Sequence, residues 1–97
     1  MLFAVIFTDR SGQGTLRAEH LTAHIEWVAA HQDVVLVAGS LRSEPEAIPR
    51  GGLWVVDAAS KQEVLDLMKS DPFYTCGLRD RVDVFYWSKA LQRKVLV

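Results

Sequence analysis

The chain has a single cysteine, Cys76, among 97 residues, so no internal disulfide is possible and the fold must be held by its core. That usage suits a reducing compartment, and the cytoplasm is the expected location. Three prolines and six glycines are too few for a collagen-like or Pro/Gly-rich disordered chain. Neither sign of charge dominates: eleven Lys and Arg stand against twelve Asp and Glu, for a net charge of −1. A nucleic-acid binder or a protein drawn to anionic lipid would show a basic footprint, so neither partner is expected. No apolar run approaches the ~20 residues of a membrane span, and MLFAVIFTDR lacks the basic start of a secretory signal. Repeats and low-complexity segments are also missing. What remains is a composition of 49% hydrophobic and 24% charged residues, which is that of one soluble domain spanning 1–97, with a basic-apolar tail at 91–97.

The pattern along the chain alternates short apolar runs with helical periods. Leu2 to Thr8 reads as a first strand, closed by Asp9-Arg10-Ser11-Gly12. Thr15 to Gln32 reads as a helix capped by Thr15, with Ala18, Leu21, Ile25, Val28 and Ala29 on one apolar face packed on the core. Asp33 to Ser40 is a second strand, Leu41 to Arg50 a polar loop, and Leu53 to Asp57 a third strand. Ser60-Lys61-Gln62-Glu63 is a capping box that opens a second helix, stopped by Pro72. Val82 to Trp87 is the fourth strand. The order βαββαβ predicts an α+β, ferredoxin-like protomer with a four-stranded antiparallel sheet and both helices on one face.

Two helices cover one face only, yet the strands are apolar on both. Leu2, Ala4 and Ile6 oppose Phe3, Val5 and Phe7, and Leu53 and Val55 oppose Trp54 and Val56. A sheet of this kind calls for a partner. A second copy packed sheet to sheet about a two-fold axis, a homodimer, is the expected one.

The residues able to carry chemistry are few. His20, His24 and His31 fall within an arc of roughly 40° on the first helix, and His24 lies nearest the apolar face, where an imidazole is partly desolvated and still reaches a cavity. Asp71 precedes Pro72 as an N-cap does, and a capping carboxylate can also orient an imidazole for general acid–base work. The competing reading is a surface histidine and a purely structural cap. His20 and His24 are spaced i, i+4, but no third metal ligand is evident, and neither metal nor cofactor is expected. No serine stands in a G-x-S-x-G turn. Cys76 has no basic neighbour and reads as a small half-buried thiol. Arg42 or Arg50 in the long loop is placed to attract an anionic substrate group. Phe73, Tyr74, Tyr86 and Trp87 suit a core or a pocket lining better than base stacking.

Three segments, TAHIEWV, AGSL and SDPFYTCGL, make the chain resemble the YciI-like (YCII domain) family within the dimeric α+β barrel proteins. Family members typically carry Gly-Pro-Leu after the second strand, where this chain has Ser40, and His20 stands as a rival to His24 for the family's histidine. The resemblance implies a sheet-to-sheet dimer and a pocket holding His24 and Asp71. Ser40, Arg42 and Phe73 are the expected substrate-binding neighbours. It also implies enzymatic activity, one branch being similar to a lyase that removes chloride from a chlorinated hydroxyquinol. The expected function is therefore a small dimeric enzyme in which His24 and Asp71 perform acid–base chemistry, elimination or isomerisation, on a small organic substrate. The alternative is a non-catalytic dimeric module that binds a small ligand or a partner protein.

Overall fold

A computed structural model describes all residues, 1–97. The elements run β1 (Leu2–Asp9), α1 (Gly14–Ala30), β2 (Val35–Leu41), β3 (Gly51–Asp57), α2 (Lys61–Met68), α3 (Pro72–Thr75) and β4 (Arg79–Tyr86). The four strands form one antiparallel sheet in the order β2-β3-β1-β4, the ferredoxin-like α+β fold. Leu91–Val97 forms neither helix nor strand.

Period-two alternation sorts the strands' side chains. Phe3, Val5 and Phe7 of β1, Val35 of β2, Trp54 and Val56 of β3, and Val84 of β4 are buried on the helix-covered face with Val64 and Met68 of α2. The register pairs Ala4 with Val55 and Phe85, and Ile6 with Leu53 and Asp83, so the outer face presents an apolar surface with exposed Ile6, Val37 and Phe85.

Two irregularities shape the inner face. A register shift between Thr8 and Asp9 pairs Asp9 with Arg79; without it, strand alternation would set Asp80 on the inner face. A bulge re-aims side chains in this way, and here it brings Arg79 inward. Gly51 and Gly52 then extend β3 two residues beyond the expected start. A Cβ on Gly51 would lie 1.8 Å from the carbonyl oxygen of Phe7, so only glycine fits. One on Gly52 would lie 3.5 Å from the Arg79 guanidinium, so the bare backbone there leaves room for that group, which rests over the Phe7 ring at 4.3 Å from its centroid.

The first helix departs from the sequence expectation. Thr15 lies inside α1, and Gln13 holds the N-cap position with no side-chain cap bond. The apolar stripe is not the packed face: Leu21 is 41% and Ile25 57% exposed, Ala18 and Ala29 are exposed, and only Val28 is half-buried. The packed stripe is Arg17, His20, His24, Trp27, Val28 and His31, turned by roughly one residue's rotation, about 100°. Specific partners decide this orientation. Trp27 stacks on Trp54 at 5.2 Å between ring centroids and donates its indole N–H to Ser70 Oγ at 2.9 Å. Those contacts and the one made by His24 outweigh what a shallow apolar stripe gains by burial.

Candidate functional site

The site is assembled from the first turn of α3 and the middle of α1. Asp71 caps α3, with Pro72 at the first helical position, where a missing N–H costs nothing. Its Oδ1 accepts the Phe73 backbone N–H at 3.2 Å. The same oxygen lies 2.6 Å from Nδ1 of His24. Asp71 is fully buried, whereas the His24 side chain keeps 12% of its surface exposed. The imidazole lies flat on Phe73, with centroids 4.0 Å apart and planes at 11°. A carboxylate only accepts, so Nδ1 donates and Nε2 is left with its lone pair free in the neutral ring.

Around this pair lies a charge network that the sequence reading did not single out. Asp9, buried at the end of β1, accepts from Arg79 Nη1 at 2.8 Å on one oxygen and from Arg17 Nη2 at 3.2 Å on the other. Arg17 also donates to the Gly51 carbonyl at 3.2 Å. Both guanidinium groups approach the Phe73 ring, at 4.9 Å for Arg17 and 5.1 Å for Arg79, so one ring contacts His24 and both arginines. Burial lowers the Arg79 pKa from its ordinary value, opposed by the bond to Asp9 and the charges of Asp9 and Asp71. Asp71 Oδ2 and Arg79 Nε have no hydrogen-bond partner. The second oxygen of the buried carboxylate is thus answered by the field of Arg79 rather than by a bond.

Two of these residues carry a sequence signal. Arg17 stands seven residues before His24, two helical turns away on the same face, and Asp9 continues the inward parity of Phe3, Val5 and Phe7. Arg79 carries none, because the bulge that turns it inward is invisible in the sequence.

The expected substrate-binding positions separate. Phe73 lies against His24. Ser40 and Arg42 bond one another, Arg42 Nε donating to Ser40 Oγ at 3.3 Å, and Arg42 Nη1 donates to the Ala47 carbonyl within the same loop. A cavity of about 620 Å³ opens beside the network, between the β1–α1 turn and the loop before β3; Asp9, Arg17 and Arg50 line it, and Ser40 and Arg42 do not. The size is that of a small-molecule site. His20 is half-buried one turn before His24, and no three His, Cys, Asp or Glu side chains converge as a metal-holding set.

The YCII-related domain family model matches residues 1–88. The chain belongs to that family. Among solved structures, this YCII-related chain is similar to 5-chloro-2-hydroxyhydroquinone dehydrochlorinase (TftG) from Burkholderia phenoliruptrix AC1100, determined in complex with 2,5-dihydroxybenzoquinone. The two share 25% identity with a TM-score of 0.82, over 91% of this chain and 94% of that one. A candidate antibiotic biosynthesis monooxygenase from Bacteriodes thetaiotaomicron VPI-5482 (15% identity, TM-score 0.59, 99% and 95% covered) shares the fold. So does protein Atu4242 from Agrobacterium tumefaciens (14%, 0.56, 99% and 100%). No curated protein matches the sequence. No helix is long and apolar enough to cross a membrane.

Proposed function

We propose that this protein is a small homodimeric enzyme of the cytoplasm that uses His24 as general acid and base, held by Asp71, on a small hydroxylated organic substrate. The observation that carries the reading is the 2.6 Å contact between Nδ1 of a partly exposed imidazole and a fully buried carboxylate. Such a partner fixes the ring's tautomer and stabilises its protonated form. Nε2, which has no partner in the chain, takes a proton from substrate. In an elimination from the keto tautomer of a chlorinated hydroxyquinol, the pair left when an O–H proton is taken becomes the quinone C=O, the ring π electrons shift, and chloride departs from its saturated carbon with its own bonding pair. In an isomerisation the imidazolium returns the proton at a second atom. Neither step needs an oxidant, a nucleophile or a further reactant. The likeness to a dehydrochlorinase at a TM-score of 0.82 favours elimination and makes a chlorinated hydroxyquinol the first substrate to try. The apolar outer face of the sheet is the dimer surface in this reading, since it would otherwise stand in water.

The test is turnover of 5-chloro-2-hydroxyhydroquinone, followed by chloride release and by quinone absorbance. Wild-type protein should release chloride, and His24→Ala should lose about 100-fold or more, the usual worth of a positioned acid–base group. Binding without turnover by the wild type would leave the non-catalytic ligand-binding alternative in its place.

A further inference from the structure

We infer that the cavity lined by Arg17 and Arg50, which His24, Asp71 and Phe73 do not themselves line, is an oxyanion subsite, and that the ligand is a small organic anion whose carboxylate or phosphate is held by Arg50 and Arg17. The inference rests on the proposed function only in treating cavity and pair as one site. Arg17 joins them, since it lines the cavity and touches the same Phe73 ring on which His24 lies. The arginine and the imidazole both lie against that one ring.

The charges of the cavity wall do not cancel. Arg10 is spent on Asp80 and the Gly77 carbonyl. Asp9 has one oxygen on Arg17 and the other on Arg79, and Arg79 also faces the charge of Asp71, so within this triad of two arginines and one aspartate the second positive charge is met by Asp71 and the unbalanced charge of the wall is that of Arg50. Within that triad Arg17 uses Nε and Nη2, and its Nη1 donors remain free. Arg50 also lines the cavity, and its side chain takes part in no salt bridge or hydrogen bond. Neither glutamate of the loop, Glu44 or Glu46, reaches the lining.

The main chain adds donors to the same wall. Gly12, Gln13 and Gly14 line it at the start of α1, where the N-cap side chain makes no bond and the first N–H groups have no carbonyl one turn back. A Cβ on Gly12 or Gly14 would meet nothing within 4 Å, so this backbone is open to a ligand. Two guanidinium forks with uncommitted donors and an uncapped helix start favour an anion held by several bonds.

Three ligands with one ring separate the possibilities: hydroquinone, its carboxylated form 2,5-dihydroxybenzoate, and 4-hydroxyphenyl phosphate. Binding is read by titration calorimetry and by amide shifts at Gly12, Gly14 and Arg17. At least one anion should bind about tenfold tighter than hydroquinone, with the shifts at those amides and a preference that shrinks in high salt; the tighter anion identifies the head group. Arg50→Gln, which breaks no hydrogen bond or salt bridge of the fold, should bring that anion to the level of hydroquinone, and Arg50→Lys should restore part of the preference. Equal affinity for all three, or a preference that survives Arg50→Gln, overturns the inference. An Arg50-dependent preference in a protein that turns nothing over supports the subsite while the catalytic reading fails. Turnover of a neutral quinol with KM unmoved by Arg50→Gln overturns the subsite and leaves the catalytic reading intact.

Discussion

Replacing Asp71 separates the residue's two duties, and the structure sets the size of each. In Asp71→Ala the cap on Phe73 N–H is lost, which costs about 1 kcal/mol. The bond to His24 is lost too; a hydrogen bond involving a charged group is worth roughly 1.5–3 kcal/mol. Both partners sit on one oxygen, so the losses come together, and about 3 kcal/mol is expected. Asp71→Asn is the informative contrast. Its amide oxygen still accepts from Phe73 and from His24, so most of the stability survives, but the negative charge that holds a protonated imidazole is gone. Urea unfolding at a fixed protein concentration reads the stability, because an oligomer's midpoint moves with concentration. Turnover of the chlorinated hydroxyquinol reads the chemistry, and the His24 Nδ1–H resonance reads the contact without needing a substrate. The alanine variant should lose that resonance, and the asparagine variant should lose about 100-fold or more in turnover. An alanine variant within about 0.5 kcal/mol of wild type would refute the stability argument. Full activity in the asparagine variant would refute the argument from charge.

Two further outcomes test the surfaces. Val55→Lys, at the centre of the outer face where Val55 pairs with Ala4 and Val37, should convert a dimer to the 10.9 kDa monomer in sedimentation velocity at micromolar concentration; a wild type that is already monomeric refutes the interface. On α1, Leu21→Gln and Ile25→Gln should each change unfolding free energy by less than about 0.5 kcal/mol, whereas Trp27→Ala should cost roughly 2 kcal/mol or more. The reverse order would reinstate the apolar stripe as the packed face.

Much of this fold was legible because it rests on local rules. The parity of Phe3, Val5 and Phe7 and of Trp54 and Val56 defines the inner face of the sheet without reference to anything distant. Ser60 and Asp71 cap α2 and α3 through their own side chains. Strand bounds slipped where the rules run out. β3 begins at Gly51 rather than Leu53 because close approach, of Gly51 to Phe7 and of Gly52 to the Gly39 carbonyl and Arg79, selects those glycines where propensity does not. β4 begins at Arg79 because the bulge at Asp9 gives it a partner. In the site, His24, Asp71 and Phe73 were reachable from sequence and Arg79 was not. Swapping the parity of Arg79 and Asp80 needs only one irregular pair on a neighbouring strand, and no periodicity in β4 records it.

The misreading of α1 has a physical cause that bears on function. Judged by hydrophobic patterning alone, the helix should bury Ala18, Leu21, Ile25 and Ala29, yet the half-buried stripe it turns inward contains three histidines and an arginine. Putting Arg17 inward costs desolvation, and leaving Leu21 and Ile25 outward forgoes apolar burial. The cost is offset only because each inward polar group has a partner already in place: Asp9 for Arg17, Asp71 for His24, Ser70 for the indole of Trp27. Those partners come from β1 and from the segment around the α3 cap, so no window of the helix contains the information. A local rule broken at a cost, with compensation gathered from distant elements, is expected where a site rather than a core dictates the packing. The orientation of α1 is thus a physical argument, separate from any likeness to known proteins, in favour of the role proposed for the His24–Asp71 pair. A structural cap alone would have been satisfied by Asp71 and Phe73, with α1 turned to bury its leucine and isoleucine.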